Sequence, residues 1–340
     1  MKKTIQQIIV LALIGLVIMT ACQPVVGQSA AKIQTAVITS RNAAQLAPAA
    51  QAREGSEFNE IVWAADGSAL LSVSGSGAAR FSAAALEKQE TFSFDNPAAL
   101  YAASPDGKTI VFSNDNYNAF LADIQVTENA QSIYSPTYLG NFDFSPDGKT
   151  LLSTSLDEIA VTLWDTASGA QVQTISGFET AAPVYSAKFG EDGKHILWIA
   201  RGTLQLTDIA TQEFSPVFSH EDFVSAAVLS KDGSLLASAA AGTVNGEFTP
   251  AIYLWDAASG ELKTTLTYPE AFNAVAFSPD GSLLAASAGS TLVFWNIADG
   301  QQVAEIDSGS EDIFGLAFSP DGASLAASGS AGTITVWQVK

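Results

Sequence analysis

The sequence predicts an all-β propeller assembled from seven four-stranded antiparallel blades, and three observations carry that prediction. The stretch NAVAFSPDGSLLAAS, residues 273–287, recurs almost unchanged as FGLAFSPDGASLAAS, residues 314–328. Asp-Gly pairs, each preceded by an apolar, β-prone run, stand at Asp66, Asp106, Asp147, Asp192, Asp232, Asp280 and Asp321. Their spacings of 40, 41, 45, 40, 48 and 41 residues are those of a propeller blade. A second landmark trails each pair by a similar interval: Trp164-Asp165, Thr207-Asp208, Trp255-Asp256, Trp295-Asn296 and Trp337-Gln338, with weaker echoes at Phe81-Ser82 and Ala122-Asp123.

Each element of the repeat has a local cause. In Ser278-Pro279-Asp280-Gly281, proline sets φ for the first central position of a type I turn and aspartate suits the second. Glycine then supplies the positive φ that closes a bulged hairpin. The seven aspartates are therefore expected to be structural turn residues. The Trp-Asp landmark ends a third strand, and the tetrapeptides TASG at Thr166, AASG at Ala257 and IADG at Ile297 turn the chain into a fourth, such as QQVAEI. Runs such as SLLAASAG from Ser282 are apolar without clean alternation, as expected where stacked blades cover both faces of a strand. The many alanines and serines suit the narrow space near a propeller axis.

From about Asn42 to Lys340 these motifs resemble the WD-repeat family, most closely in IYLWDAASGELKTTL from Ile252. The resemblance implies a seven-bladed β-propeller that serves as a binding platform. The sequence departs from the family where a Gly-His dipeptide usually opens the repeat; only Ser219-His220 comes near it. The family's buried His-Ser/Thr-Asp-Trp network is thus not expected in six of the seven blades, which leaves apolar packing to hold them.

The last repeat ends at TITVWQVK, on its third strand, so its fourth must come from elsewhere. The segment before the first hairpin, NAAQLAPAAQAREG from Asn42, occupies the right place. Residues 46–53 are predicted to complete the last blade and clasp the ring, with Pro48 tolerated because the strand lies on an outer edge.

Lys2-Lys3 precede the apolar segment TIQQIIVLALIGLVIM, the pattern of a secretion signal. Met19-Thr20-Ala21-Cys22 resembles the bacterial lipobox, and Cys22 is the chain's single cysteine. The expectation is a lipoprotein signal peptide over 1–21, lipidation at Cys22, a flexible tether over 22–41 and a propeller over 42–340. A coil of about 20 residues spans roughly 25 Å, which would hold an extracytoplasmic propeller close to a bacterial envelope membrane.

Charge bounds the partners. The chain carries 15 Lys and Arg against 35 Asp and Glu; without Lys2 and Lys3 the basic residues fall to 13 and the net charge to −22. Such a surface does not attract nucleic acid phosphates. Loops between consecutive blades and loops between second and third strands should share one propeller face. The first set offers Glu57, Asp95, Glu179, Glu221, Asp222, Glu270, Glu311 and Asp312, and the second Asp115, Asp157, Glu158 and Glu247. Aromatic residues lie near the same loops: Phe58, Tyr117, Tyr134, Tyr138, Phe178, Phe223, Tyr268 and Phe314, of which Tyr117 and Tyr138 are expected to be exposed. Arg201 is a rare cation there. The insertion AAGTVNGEFTPA, residues 240–251, lengthens the hairpin loop of the fifth repeat. The expected partner is a protein or peptide, basic in character, met by this acidic face.

Enzymatic chemistry has less support. The two histidines, His195 and His220, are assigned to opposite faces, so no His-rich metal site is expected, and no cofactor. No nucleophile elbow or phosphate loop occurs; SVSGSGAAR from Ser72 reads as a strand hairpin. The alternative reading is a propeller hydrolase or glycan-active enzyme using channel-lining carboxylates, with a divalent metal as an option. Three or more carboxylates converging at one end of the channel would mark it.

Overall fold

The computed structural model describes residues 35–340 apart from 54–59, 94–99, 114, 116, 125, 136–137, 179–183, 222, 245–246 and 310. The expected leader and Cys22 lie outside the described residues. After a short 3-10 turn at Ala43–Gln45, the described residues form 28 strands in seven four-stranded antiparallel sheets.

Strand β1, Leu46–Arg53, comes first in the chain and joins the last blade. Blade 1 comprises β2 (Glu60–Trp63), β3 (Ala69–Ser74), β4 (Gly77–Ser82) and β5 (Lys88–Ser93). Blade 2 comprises β6 (Leu100–Ala103), β7 (Thr109–Ser113), β8 (Asn118–Asp123) and β9 (Val126–Tyr134). Blade 3 follows with β10 (Leu139–Phe144), β11 (Thr150–Ser155), β12 (Ala160–Asp165) and β13 (Gln171–Ser176). Blade 4 has β14 (Ser186–Phe189), β15 (His195–Ala200), β16 (Thr203–Asp208) and β17 (Phe218–Ser219). Blade 5 has β18 (Val224–Leu229), β19 (Leu235–Val244), β20 (Glu247–Asp256) and β21 (Leu262–Thr267). Blade 6 has β22 (Phe272–Phe277), β23 (Leu283–Ala288), β24 (Thr291–Asn296) and β25 (Gln302–Asp307). Blade 7 has β26 (Ile313–Phe318), β27 (Ser324–Gly329) and β28 (Thr333–Val339), with β1 as its outer strand.

The hairpins between first and second strands follow from their turn chemistry. All seven Asp-Gly glycines have φ between 67° and 74°, the left-handed region that costs glycine least. Each aspartate accepts the backbone N–H two residues on at 2.9–3.1 Å: Ser68, Lys108, Lys149, Lys194, Ser234, Ser282 and Ala323 are the donors. Where serine precedes the turn it adds a second tie, as Ser278 donates to Asp280 at 2.6 Å and accepts from Leu283 N–H at 3.0 Å.

Packing follows the stacking of blades. Strands β3, β23 and β27 are buried along their whole length, whereas β5, β13 and β21 bury chiefly one apolar residue each: Phe92, Ile175 and Leu266. An inner strand has a neighbouring blade on each face, while an outer strand stands at the rim where blades diverge. Adjacent residues of β23 show the interleaving, since they join different clusters. Ala285 packs with Leu292, Phe294 and Leu325, whereas Ala286 packs with Ile252 and Trp295.

The ring is closed as the sequence predicts. β1 pairs antiparallel with β28 from Leu46 opposite Val339 to Arg53 opposite Thr333, with a bulge between Pro48 and Ala50. On an outer edge the missing proline N–H leaves no ladder bond unmade. Packing starts upstream of Asn42, however: Ile38 is fully buried beside Leu46 and Leu283 and donates its N–H to Gly322 O at 2.9 Å. The segment 35–41 is therefore packed with the propeller body.

Blade 5 retains a polar relay. The Trp255 indole donates to Ser238 Oγ at 2.8 Å, and Ser238 Oγ lies 3.0 Å from His220 Nε2. Elsewhere the indoles find other partners: Trp164 donates to Ser153 Oγ at 2.9 Å and Trp198 to Thr207 Oγ1 at 2.7 Å. The buried Trp337 Nε1 has no hydrogen-bond partner among the described residues.

The fifth-blade insertion differs from the expected loop. It continues the ladder through Ala241–Pro250, Gly242–Thr249, Thr243–Phe248 and Val244–Glu247, so that β19 and β20 are ten residues each. Cross-strand pairing absorbs backbone donors that an irregular loop would leave to water.

Candidate functional site

The two loop sets meet on one face, as hydrogen bonds between them demonstrate. Ala331 N–H, in the turn of β27–β28, donates to Glu311 Oε2 at 2.6 Å. Tyr138 N–H, between blades 2 and 3, donates to Asp157 Oδ2 at 2.9 Å in the turn of β11–β12. His220 N–H donates to Gly202 O at 2.8 Å, beside the exposed Arg201 in the β15–β16 turn. A side-chain carbon on Gly289 would lie 3.3 Å from Glu270 Oε2 and 3.6 Å from Asp312 Oδ1, so these two carboxylates flank one turn.

The predicted acidic residues divide by what they touch. Asp115 is built into its own loop, accepting Tyr117 N–H at 2.8 Å, Asn118 N–H at 2.7 Å and the Asn118 amide at 2.9 Å. The Asn118 side chain first, and then these backbone donors, hold the Asp115 carboxyl below the usual carboxylate range. Asp157 and Glu311 likewise anchor neighbouring backbone, whereas Glu158, Glu221, Glu270 and Asp312 are exposed. Glu57, Asp95, Glu179 and Asp222 lie outside the described residues, as does Phe58. Glu247 opens β20 at the tip of the extended hairpin.

Of the aromatic residues, Phe178 is core, stacked on Trp198 with ring centroids 5.5 Å apart. Tyr117, Tyr134, Phe223 and Phe314 are exposed; Tyr138 and Tyr268 are half-buried. Tyr185, which sequence reading missed, stacks on Phe223 at 5.2 Å and donates its hydroxyl to Val224 O at 2.8 Å.

Sequence reading expected a channel but missed the charged residues that line it. A cavity of about 570 Å³ is lined by Glu60, Lys188, Tyr185, Asn273 and Phe314 among others. A second, of about 450 Å³, holds Asp143, Lys188, Glu191 and Lys231 and reaches Pro146 and Pro279 of the Asp-Gly hairpins. Both share Ile61, Lys188, Ala227, Val275 and Leu316, so together they follow the innermost strands from one face to the other. The available signal was a charged residue inside an otherwise apolar first strand: Glu60 in EIVW, Asp143 in FDF and Lys188 in AKF.

The channel perturbs these groups strongly. Glu60 and Asp143 are half-buried, and the walls around them replace most of their solvation. Burial, and then the nearby Asp143 charge, pushes Glu60 up to about 7, with Lys188 opposing. Burial raises Asp143 to about 6 against Lys188 and a 2.6 Å hydrogen bond from Phe189 N–H. Burial also raises Glu191, opposed by Lys231. A carboxylic acid and a carboxylate at different pKa values can give and accept protons. Among the described residues no group of three or more His, Cys, Asp or Glu is arranged to hold a metal ion.

The histidines take separate structural roles. His195 Nδ1 is paired with Asp192 within its hairpin. Burial lowers His220 to about 4, so its Nε2 is free to accept from Ser238 in the blade-5 relay.

Comparison with known proteins agrees with this architecture. Residues 260–296 and 300–338 match the family model of the WD domain, G-beta repeat. Each match begins beside the outer strand of one blade and ends within the third strand of the next, the stagger that requires β1 to complete blade 7. A stretch of 113 residues is 29% identical to an uncharacterized WD repeat-containing protein of Synechocystis sp., covering 32% of this chain and 30% of that protein. The chain thus carries WD40 repeats in a seven-bladed propeller, and its match spans less than a third of that relative's length.

Proposed function

We propose that the protein is a binding platform of a bacterial cell envelope, held to the membrane by a lipid on Cys22 and engaging a protein or peptide partner through its acidic loop face. WD40 propellers commonly bind protein partners and are typically non-enzymatic scaffolds. The observation that carries the reading is the arrangement of that face. Its exposed carboxylates, Glu158, Glu221, Glu270 and Asp312, belong to several blades and are interspersed with exposed aromatic rings. Aromatic anchors within a charged surround are the ordinary means of protein recognition. In this reading residues 1–21 are a signal peptide, the segment that follows is a tether, and the propeller works outside the cytoplasm.

The test is a pull-down from detergent-solubilised envelope with the mature protein as bait, beside a variant with Glu221, Asp222, Glu311 and Asp312 changed to their amides. A partner held by the wild type and lost by the variant supports the reading and locates the face. Equal capture by both removes Glu221, Asp222, Glu311 and Asp312 from the contact.

A second reading, hydrolysis in the channel, draws on the unequal carboxyls of Glu60 and Asp143. Turnover of a glycan or ester substrate that is lost in Glu60→Gln, with unchanged melting, would favour it over the platform.

A further inference from the structure

The exposed apolar side chains are not spread evenly over the propeller. Among the described residues, nine large hydrophobics are exposed, and four of them, Tyr117 (43%), Tyr134 (67%), Leu156 (43%) and Ile159 (39%), lie in loops or a strand end of blades 2 and 3. Tyr138 joins them: its ring meets that of Tyr117 edge-on, centroids 5.8 Å apart. Exposed apolar side chains gathered in the loops of two neighbouring blades are a mark of interaction sites in soluble domains.

The backbone beneath is tied together. Ser135 N–H donates to Tyr117 O at 2.9 Å, and Leu156 N–H to Tyr138 O at 2.7 Å. The carboxylates of Asp115 and Asp157 hold the two tyrosine-bearing loops from either side. Side chains on so restrained a backbone lose little further freedom when a partner arrives.

Charge selects the occupant. Residues 113–118, 134–139 and 155–160 contain Asp115, Asp157 and Glu158 and no Lys, Arg or His. A second copy of this chain, with a formal net charge of −20, would bring like charges together, and an anionic lipid surface or nucleic acid would be repelled. A cation is favoured twice, by the carboxylates and by the tyrosine ring faces. Leu156 and Ile159 offer aliphatic contact that a hydroxyl-covered glycan would use poorly.

Resting on the platform reading above, we propose that blades 2 and 3 form an off-axis docking surface for a basic segment of a protein partner, in which Lys or Arg alternates with apolar residues. The cation sits against Tyr117 and Tyr138 beside Asp157 and Glu158, and the apolar residues cover Leu156 and Ile159. Tyr117, Tyr138, Leu156 and Ile159 do not line the channel, whose aromatic residues Tyr185 and Phe314 belong to the loop entering blade 4 and to blade 7.

The test is fluorescence anisotropy on the full chain in neutral detergent. The probes are a labelled peptide of alternating lysine and leucine, its glutamate-leucine counterpart, and an N-acetylglucosamine hexamer as competitor. The wild type should bind the lysine peptide alone, more weakly as salt rises. Tyr117→Ala with Tyr138→Ala should weaken binding about tenfold, while Tyr117→Phe, which keeps the ring, retains it. Asp157→Asn with Glu158→Gln, in which asparagine still accepts Tyr138 N–H, should remove most of the salt dependence; this variant serves if the alanine pair fails to fold. Phe314→Ala with Glu221→Gln, elsewhere on the same face, should weaken binding far less than the tyrosine pair does. Loss in that channel-side variant with retention in the tyrosine pair would overturn the off-axis site and leave the platform reading standing. Equal binding of the glutamate peptide, displacement by the sugar, or no binding of the lysine peptide would overturn the proposal outright, whereas the envelope pull-down reports on the platform independently.

Discussion

The indole of Trp63 donates to the main-chain carbonyl of Ala317 across 2.9 Å, joining the first strand of blade 1 to the first strand of blade 7. Although 254 residues separate them, the two belong to neighbouring blades because the ring has closed. Trp63→Phe keeps most of the packing and removes this bond, for an expected loss of about 1 kcal/mol by denaturant titration. No change in the transition midpoint would show that the bond contributes nothing to closure.

Deleting residues 44–54 removes β1 and leaves β28 as a bare edge. Its ladder, the buried Leu46 and the bond from Lys340 N–H to Gln45 O disappear together. A melting temperature lower by about 10 °C is expected by calorimetry; an unchanged value would mean that β1 does not stabilise the ring.

The indoles of blades 5 and 7 should respond differently to the same substitution. Trp255→Phe removes one of the two hydrogen bonds of Ser238 Oγ and leaves the one to His220, whereas Trp337→Phe removes a buried N–H that has no partner among the described residues. A made hydrogen bond contributes about 1 kcal/mol and an unpaired buried N–H contributes none, so Trp255→Phe should be the more damaging by about 1 kcal/mol. Equal losses in urea titrations would refute the distinction.

Glycine at the hairpin turns separates backbone strain from crowding. Gly281 has φ 70° and open space where a side chain would begin; Gly107 has φ 71°, but a side-chain carbon there would lie 2.7 Å from Leu71 Cδ1. Gly281→Ala should cost about 1–2 kcal/mol from the left-handed backbone alone. Gly107→Ala should cost clearly more, and matching values would exclude the steric contribution.

Stability should fall as pH rises from about 6.5 through 7 and level off by about 8. Glu60, raised from 4.5 to about 7, binds its proton more tightly in the folded chain, so its contribution is full below 4.5 and is lost as pH rises through 7. Asp143, raised from 3.8 to about 6, acts in the same direction and completes most of its loss earlier. His220, lowered from 6.5 to about 4, does the reverse: its contribution is present above 6.5 and fades as pH falls through 4. Below 6.5 the effects oppose, and above it Glu60 dominates. Melting curves across pH should therefore decline above 6.5 in the wild type and flatten in Glu60→Gln. A variant that keeps the wild-type slope would remove Glu60 as the cause.

What the sequence determined by itself is whatever a few consecutive residues decide. Ser-Pro-Asp-Gly dictates its hairpin through bonds that span at most five residues, as in Ser278 to Leu283. Repetition of that hairpin sets the blade count, and the stagger of the repeat against the blade makes Leu46–Arg53 the missing strand. Tertiary structure decided the rest, because its partners meet only when the ring closes. Glu60, Asp143 and Lys188 come from blades 1, 3 and 4 and share one channel, where lost solvation rather than any local motif shifts their protons. The acidic loops show the same division. The meeting of the Asp157 and Glu311 loops with their neighbours was legible from the repeat, but the commitment of Asp115, Asp157 and Glu311 to backbone donors was not. A carboxylate's charge is written in the chain, whereas whether it remains available depends on which N–H groups folding brings within reach.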